Sequence, residues 1–104
     1  MGTGSIAVIG GGAAGSFAAI AARAHHPKAR ISILEKSDKV LAKVRISGGG
    51  RCNVTHDQPL AKRFAQHYPR GERFLRKVFE QFAMPQTVAW FAAHGVPLKT
   101  EADG

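Results

Sequence analysis

One short glycine pattern constrains the fold of this chain more than any other feature. Gly10, Gly12 and Gly15 follow a continuous apolar run, residues 6–9, and precede a stretch in which apolar residues recur at helical spacing. Such an apolar run predicts a strand buried on both faces of a parallel sheet. A strand, a glycine turn and a helix in this order predict the first half of a nucleotide-binding strand–helix–strand unit.

Each glycine of this pattern has a physical reason. Gly10 permits a tight turn out of the strand, Gly12 lets the backbone approach a diphosphate, and Gly15 lets helix and strand pack closely. Ala13 and Ala14 begin the helix, where unpaired N–H groups and the positive end of the helix dipole favour an anion. We therefore expect these five residues to bind the diphosphate of a dinucleotide.

A second strand is predicted over residues 31–34, after a helix over residues 13–23 that cannot continue through Pro27. It leads directly to Glu35, which lies 20 residues beyond Gly15. A carboxylate there accepts hydrogen bonds from ribose hydroxyls and repels a 2′-phosphate, which disfavours NADP. The sequence thus predicts an α/β, Rossmann-like unit with a right-handed crossover. The alternative is a plain tight turn, with Glu35 ending a strand in solvent.

A second glycine run follows this unit. Three adjacent glycines are costly to order unless the backbone must approach another group closely, so a second contact with the cofactor is the economical explanation. The residues of this run are Ser47, Gly48, Gly49, Gly50, Arg51, Cys52 and Asn53.

Together these motifs resemble those of the BaiN-like (YhiN-like) bacterial flavoproteins, often labelled the aminoacetone oxidase family. The shared features are the GGGAAG turn, the LEK sequence at residues 34–36, Lys43 shortly before SGGGRCN, and GVPLK at residues 95–99. The resemblance covers nearly the whole chain. It implies an FAD-dependent oxidoreductase of several domains, with NAD(P)H as a candidate electron donor and a small molecule as substrate.

The resemblance also implies roles for single residues. The nucleotide end of FAD would lie on the first glycine run and Glu35, and residues 43–53 would follow the cofactor towards its flavin. Lys43 and Arg51 would neutralise the diphosphate or polarise the pyrimidine edge of the flavin, and Asn53 would hydrogen-bond the ring. The alternatives are solvated charge and local turn chemistry. The implied cofactor-binding set is Gly10, Gly12, Ala13, Ala14, Gly15, Glu35, Lys36, Lys43, Ser47, Gly48, Gly49, Gly50, Arg51, Cys52 and Asn53.

The remaining reactive side chains offer little catalytic chemistry. Cys52 is the single cysteine, which excludes an internal disulfide and fits a reducing compartment. We expect it to be a small packed residue rather than a nucleophile. The five histidines lack metal-ligand spacing, so we expect surface or helix-end positions and no metal site. The sequence identifies no catalytic acid or base.

Three helices are predicted in the second half of the chain, with Met84 and Pro85 separating the last two and an extended segment beginning at Val96. Their predicted bounds are 60–68, 72–82 and 86–94. The middle helix carries an apolar stripe. The aromatic residues expected in core or inter-domain packing are Phe74, Phe79, Phe82, Trp90 and Phe91.

The net charge and the length of the apolar segments limit which partners and locations we expect. The net charge is +8, but the basic residues are dispersed, which argues against nucleic acid as a partner.

Residues 5–22 are too short and glycine-rich for a membrane span, so we expect a cytoplasmic protein. Residues 1–104 are expected to be the N-terminal part of a longer FAD-binding domain, and this part on its own would bind FAD weakly and be inactive. Other readings are an NAD-binding dehydrogenase domain or a non-catalytic basic module; substrate and oligomeric state stay open.

Overall fold

The structure is a computed structural model that describes residues 4–104. It begins with two parallel strands joined by a helix. The described chain divides into two units, one ending at Cys52 and the other running from Asn53 to Gly104. The first unit contains strand β1 (Ser5–Ile9), helix α1 (Ala13–His25), strand β2 (Arg30–Leu34), helix α2 (Ala42–Ile46) and a 3-10 turn (Ser47–Gly50). The second unit contains helices α3 (Ala61–Ala65), α4 (Glu72–Gln81) and α5 (Met84–Ala93).

The strand–helix–strand unit has the predicted topology. Strands β1 and β2 pair in parallel, with Ser5 beside Arg30 and Ile9 beside Leu34. The Gly10 N–H donates to the Leu34 carbonyl oxygen at 2.8 Å and extends the ladder by one bond. Helix α1 connects the strands and contacts both of them. The α/β, Rossmann-like prediction is therefore confirmed.

The burial of β1 differs from the prediction. Ile6 and Val8 are half-buried, but Ala7 is exposed and Ile9 is 78% exposed. The apolar run predicted a strand buried on both faces, and this is wrong for the described chain, because only the face that carries Ile6 and Val8 is covered. A continuous apolar run does not by itself reveal whether a second layer is present.

Two glycines at the turn after β1 have structural roles that the pattern predicted. Gly10 has a φ of 102°, a conformation that glycine adopts without a steric penalty. A Cβ atom on Gly15 would collide with the Gly10 carbonyl oxygen and would lie 3.4 Å from Cγ1 of Val8. Helix α1 therefore approaches the end of β1 as closely as a residue without a side chain permits.

Helix α3 is shorter than predicted. It ends at Ala65 rather than at Tyr68, and the chain continues in tighter turns. The Tyr68 N–H, for example, donates to the Ala65 carbonyl oxygen, three residues earlier, at 3.0 Å. Pro69 keeps Tyr68 out of the helix, because proline disfavours helical geometry in the residue before it.

Helix α5 begins two residues earlier than predicted, at Met84, so that Met84 and Pro85 belong to its first turn. Proline is tolerated there because the first N–H groups of a helix have no intrahelical partner. The Gln86 side chain accepts a hydrogen bond from the Ala83 N–H at 2.9 Å, which caps the helix. The Thr87 hydroxyl donates to the Ala83 carbonyl oxygen at 2.8 Å.

The core of the second unit is small and aromatic. Phe64, Ala83 and Met84 are buried together, and Phe79 of α4 packs against them. Phe74 is 74% exposed, so the apolar stripe of α4 is only partly covered by the described residues. Residues 96–99, predicted as extended, form no strand in the described chain. Between residues 4 and 104 no helix has the length and apolar character to cross a membrane.

We predict that Gly15→Ala lowers the free energy of unfolding by about 2 kcal/mol, in the range for an overpacked site. The new methyl group would meet the Gly10 main-chain oxygen, which cannot move away by changing a rotamer. Urea unfolding of the full chain, followed by circular dichroism, measures the change.

Gly12→Ala is the matched control, because a Cβ atom there would have nothing within 4 Å and φ is −87°. Its stability should stay within about 1 kcal/mol of the wild type, since alanine is only a poorer N-cap than glycine. Equal stability of the two variants would contradict the close-packing role of Gly15.

Candidate functional site

The centre of the first glycine loop, residues 10–15, is fixed by a carboxylate. The Gly11 N–H donates to Oε1 of Glu35 at 2.9 Å, so the end of β2 is tied to the turn after β1. Gly11 is buried, and a Cβ atom on it would lie 2.9 Å from Cγ1 of Val40 and 3.3 Å from Cβ of Glu35. Sequence reasoning assigned roles to Gly10, Gly12 and Gly15 but not to Gly11, although three adjacent glycines were a visible signal.

The N-terminus of α1 presents bare backbone. Gly12 is the N-cap residue, and α1 has neither a side-chain cap nor an acidic residue in its first turn. Gly12, Ala13 and Ala14 are exposed, and a Cβ atom on Gly12 would meet nothing within 4 Å. The first N–H groups of a helix have no intrahelical acceptor, and the helix dipole makes this end positive. This surface has the chemistry to bind an anion through the main chain.

Glu35, at the end of β2, accepts main-chain hydrogen bonds that favour its ionised form. Its Oε2 accepts a hydrogen bond from the Ser37 N–H at 2.8 Å, and its Oε1 accepts the bond from Gly11. These N–H groups, Ser37 first and Gly11 second, lower the pKa of the Glu35 carboxyl group. An ionised carboxylate offers about four acceptor positions. Acceptor capacity therefore remains for ribose hydroxyls, and that predicted contact stays a prediction.

The second glycine loop, residues 47–53, turns through left-handed backbone. The φ angles are 60° at Gly48, 65° at Gly49 and 93° at Gly50. Side chains would strain such a backbone, which explains three glycines in a row. A Cβ atom on Gly49 or Gly50 would meet nothing within 4 Å. Conformation, rather than crowding by other described residues, therefore requires these glycines, and their backbone is open to a ligand.

Hydrogen bonds donated by Ser47, Arg51 and Cys52 close the turn of the second loop. The Ser47 hydroxyl donates to the Val44 carbonyl oxygen at 2.9 Å, and the Cys52 N–H donates to the Ser47 carbonyl oxygen at 2.9 Å. Arg51 Nε donates to the Gly48 carbonyl oxygen at 3.3 Å. Cys52 is exposed and has a φ of 56°, so the expectation that it packs is wrong in the described chain. Its position at the exit of the turn keeps it away from a core.

The basic residues of the predicted set are exposed. Lys36 follows Glu35, and Lys43 lies in α2, which leads into the second glycine loop. The first unit contains eight of the 15 Lys and Arg residues and two of the seven Asp and Glu residues. Such an excess of positive charge favours an anionic ligand. Asn53 is exposed and begins the second unit.

The histidines occupy surface positions, as predicted. His25 ends α1, His94 follows α5, and all five are exposed. In the second unit the rings of His56 and His67 contact each other edge to face, with centroids 4.8 Å apart. No group of three or more His, Cys, Asp or Glu residues within residues 4–104 is arranged to bind a metal ion.

We predict a pH-dependent stability difference between the wild type and Glu35→Gln. Because the pKa of Glu35 is lowered in the folded chain, its hydrogen bonds stabilise the fold above the ordinary glutamate pKa of about 4.3. This stabilisation is lost as the pH falls through the lowered pKa. The wild type should therefore be the more stable protein at pH 7, and the difference should shrink below about pH 4.

Urea midpoints measured across this pH range test the prediction. Glu80→Gln is the control, because Glu80 is exposed on α4 and its carboxylate makes no hydrogen bond with the described residues. Its difference from the wild type should stay small throughout. A wild-type advantage over Glu35→Gln that does not change with pH would show that the charge of Glu35 is not what binds the loop.

Comparison with known proteins agrees with this geometry. Residues 4–104 match the HI0933-like protein Rossmann domain. Among curated proteins, the chain is 37% identical over 95 residues to 3-dehydro-bile acid delta(4,6)-reductase of Clostridium scindens. The alignment covers 91% of this chain and 22% of that relative, so the chain spans about a fifth of the relative's length. No solved structure matches the chain.

The family match extends over both units and includes both glycine loops. It confirms, at the level of the family, the resemblance to bacterial flavoproteins that the SGGGRCN sequence indicated. The two strands, the crossover helix and the glycine turn form the first strand–helix–strand unit of a Rossmann domain. The chain therefore belongs to the HI0933-like family and carries that family's Rossmann domain.

Proposed function

We propose that this chain binds FAD and is the N-terminal FAD-binding part of a flavin-dependent oxidoreductase. The observation that carries the proposal is the open main chain at the start of α1, beside an ionised Glu35. A diphosphate fits the first feature and ribose hydroxyls fit the second, and the two groups are adjacent in the adenosine half of a dinucleotide.

FAD is favoured over NAD by the second glycine loop. An NAD-binding unit needs only the first loop and Glu35, whereas Gly49 and Gly50 offer further open backbone in left-handed geometry. A longer ligand that continues past the diphosphate would use that backbone. Membership of the HI0933-like family supports the same choice.

The residues of this chain would bind and orient the cofactor. Gly12, Ala13 and Ala14 would donate main-chain N–H groups to the diphosphate, while Glu35 would accept from the ribose. Lys43 and Arg51 would place positive charge near the diphosphate or the flavin, and Asn53 would hydrogen-bond the ring. When bound, FAD would supply hydride transfer, which no side chain provides.

The direction of the reaction is proposed from the relative. The Clostridium scindens protein is a reductase, and this favours reduction of a small organic substrate, with NAD(P)H as the electron donor. Because the chain spans 22% of that relative, the substrate is not carried over. We further propose that the protein acts in the cytoplasm.

We predict that the isolated chain binds FAD weakly and that Gly12→Ala lowers this affinity further, by about tenfold or more. A methyl group on Gly12 would occupy the space through which the backbone approaches the diphosphate. The expected loss corresponds to one or two hydrogen bonds to a charged group. Flavin fluorescence and absorbance titrations measure the dissociation constants.

Gly4→Ala is the matched control, because a Cβ atom there also has open space but lies outside the loop. It should bind FAD as the wild type does. Failure of the wild-type chain to bind FAD, or tighter binding of NAD, would contradict the proposal. Polyanion binding that falls steeply with salt, without flavin binding, would favour a basic binding module instead.

A further inference from the structure

Leu41 adopts a backbone conformation that leucine rarely takes. Its φ and ψ are 55° and 31°, in the left-handed region, and it is the N-cap residue of α2. This conformation places Cβ too close to the following carbonyl oxygen and costs free energy in any residue with a branched or bulky side chain. Such strain persists only where surrounding contacts impose it, and it concentrates at binding sites.

The contacts that impose it join Leu41 to the first glycine loop. The Leu41 N–H donates to the Gly11 carbonyl oxygen at 2.7 Å, and the Leu41 carbonyl oxygen accepts from the Arg45 N–H at 3.0 Å. The preceding residue, Val40, lies against the buried Gly11. Leu41 therefore connects α2 to the turn at the start of α1.

The bond to Gly11 fixes the orientation of the next N–H group. The Gly11–Gly12 peptide is trans, so the Gly12 N–H points opposite to the Gly11 carbonyl oxygen. Because that oxygen faces Leu41, the Gly12 N–H faces away from it. The hydrogen bond that the Gly11 N–H donates to the Glu35 carboxylate fixes the other side of the same residue. A hydrogen bond to the oxygen of a peptide also makes its N–H a stronger donor.

We propose that Leu41 is a positioning residue whose main-chain N–H aims the Gly12 N–H at the ligand diphosphate. The proposal rests on the proposed dinucleotide-binding function and assigns part of its diphosphate affinity to a residue outside both glycine loops. Leu41 makes the bond to Gly11 and begins α2 from one and the same left-handed backbone geometry.

Two substitutions separate this role from side-chain packing. Leu41→Ile keeps the apolar volume, but β-branching makes left-handed geometry costlier. Leu41→Asn loses the apolar volume but tolerates that geometry. If Leu41 acts through its main-chain geometry, binding should be weaker in Leu41→Ile and near the wild-type value in Leu41→Asn. If it acts through side-chain packing, the order of the two variants should be reversed.

The probes are ADP and adenosine, titrated into the 15N-labelled full chain and followed by amide NMR shifts. The difference between them isolates the diphosphate. For Leu41→Ile we expect ADP affinity to fall by about tenfold, the scale of one hydrogen bond to a charged group. Adenosine affinity should change by less than about twofold. Leu41→Asn should bind both probes within about twofold of the wild type.

A chemical variant tests the donor alone, even if Leu41→Ile unfolds. Ligation at the Arg51–Cys52 junction allows the Leu41 N–H to be replaced by an ester oxygen, which leaves the side chain unchanged. We expect the same tenfold loss for ADP, about one hydrogen bond to a charged group. Unchanged ADP affinity of the ester, or the packing order of the two substitutions, would overturn the role of Leu41. A wild-type chain that binds neither ADP nor FAD would overturn the proposed function itself.

Discussion

The hydrogen bond from the Gly11 N–H to the Glu35 carboxylate is the constraint on which the rest of the first unit depends. It joins the turn after β1 to the end of β2. The carboxyl ends of the two parallel strands therefore form one surface. The Ser37 N–H donates to the second carboxylate oxygen, and the two bonds lower the pKa of the Glu35 carboxyl group. Residues 35–41 then fold back over Gly11, and α2 and the second glycine loop follow from that position.

The two glycine runs meet different physical demands. In the first run, Gly11 and Gly15 are required because neighbouring atoms leave no room for a Cβ atom. In the second, Gly49 and Gly50 are required because their backbone is left-handed, while the space around them is open. The crowded glycines make the first turn compact, whereas the left-handed glycines leave the main chain of the second turn exposed. A ligand that contacts both would bind mainly to main-chain groups within a positively charged unit.

Local rules of sequence predicted much of this arrangement. Apolar runs, helical spacing and the glycine pattern were sufficient for β1, α1 and β2, because each of these elements is specified by neighbouring residues. Helix α2 and the left-handed Leu41 were not predicted, since the Gly11 oxygen that binds Leu41 lies 30 residues away. The exposure of Cys52 and of one face of β1 depends on which layers are present, and periodicity carries no information about that.

FAD binding by this backbone surface is best tested by the visible absorption spectrum of the protein expressed from its uninterrupted native gene and purified from cells. Any chromophore released by heating would then be identified by its mass. We expect a yellow protein that releases FAD. A colourless protein that does not take up added FAD would contradict it, however well the chain folds.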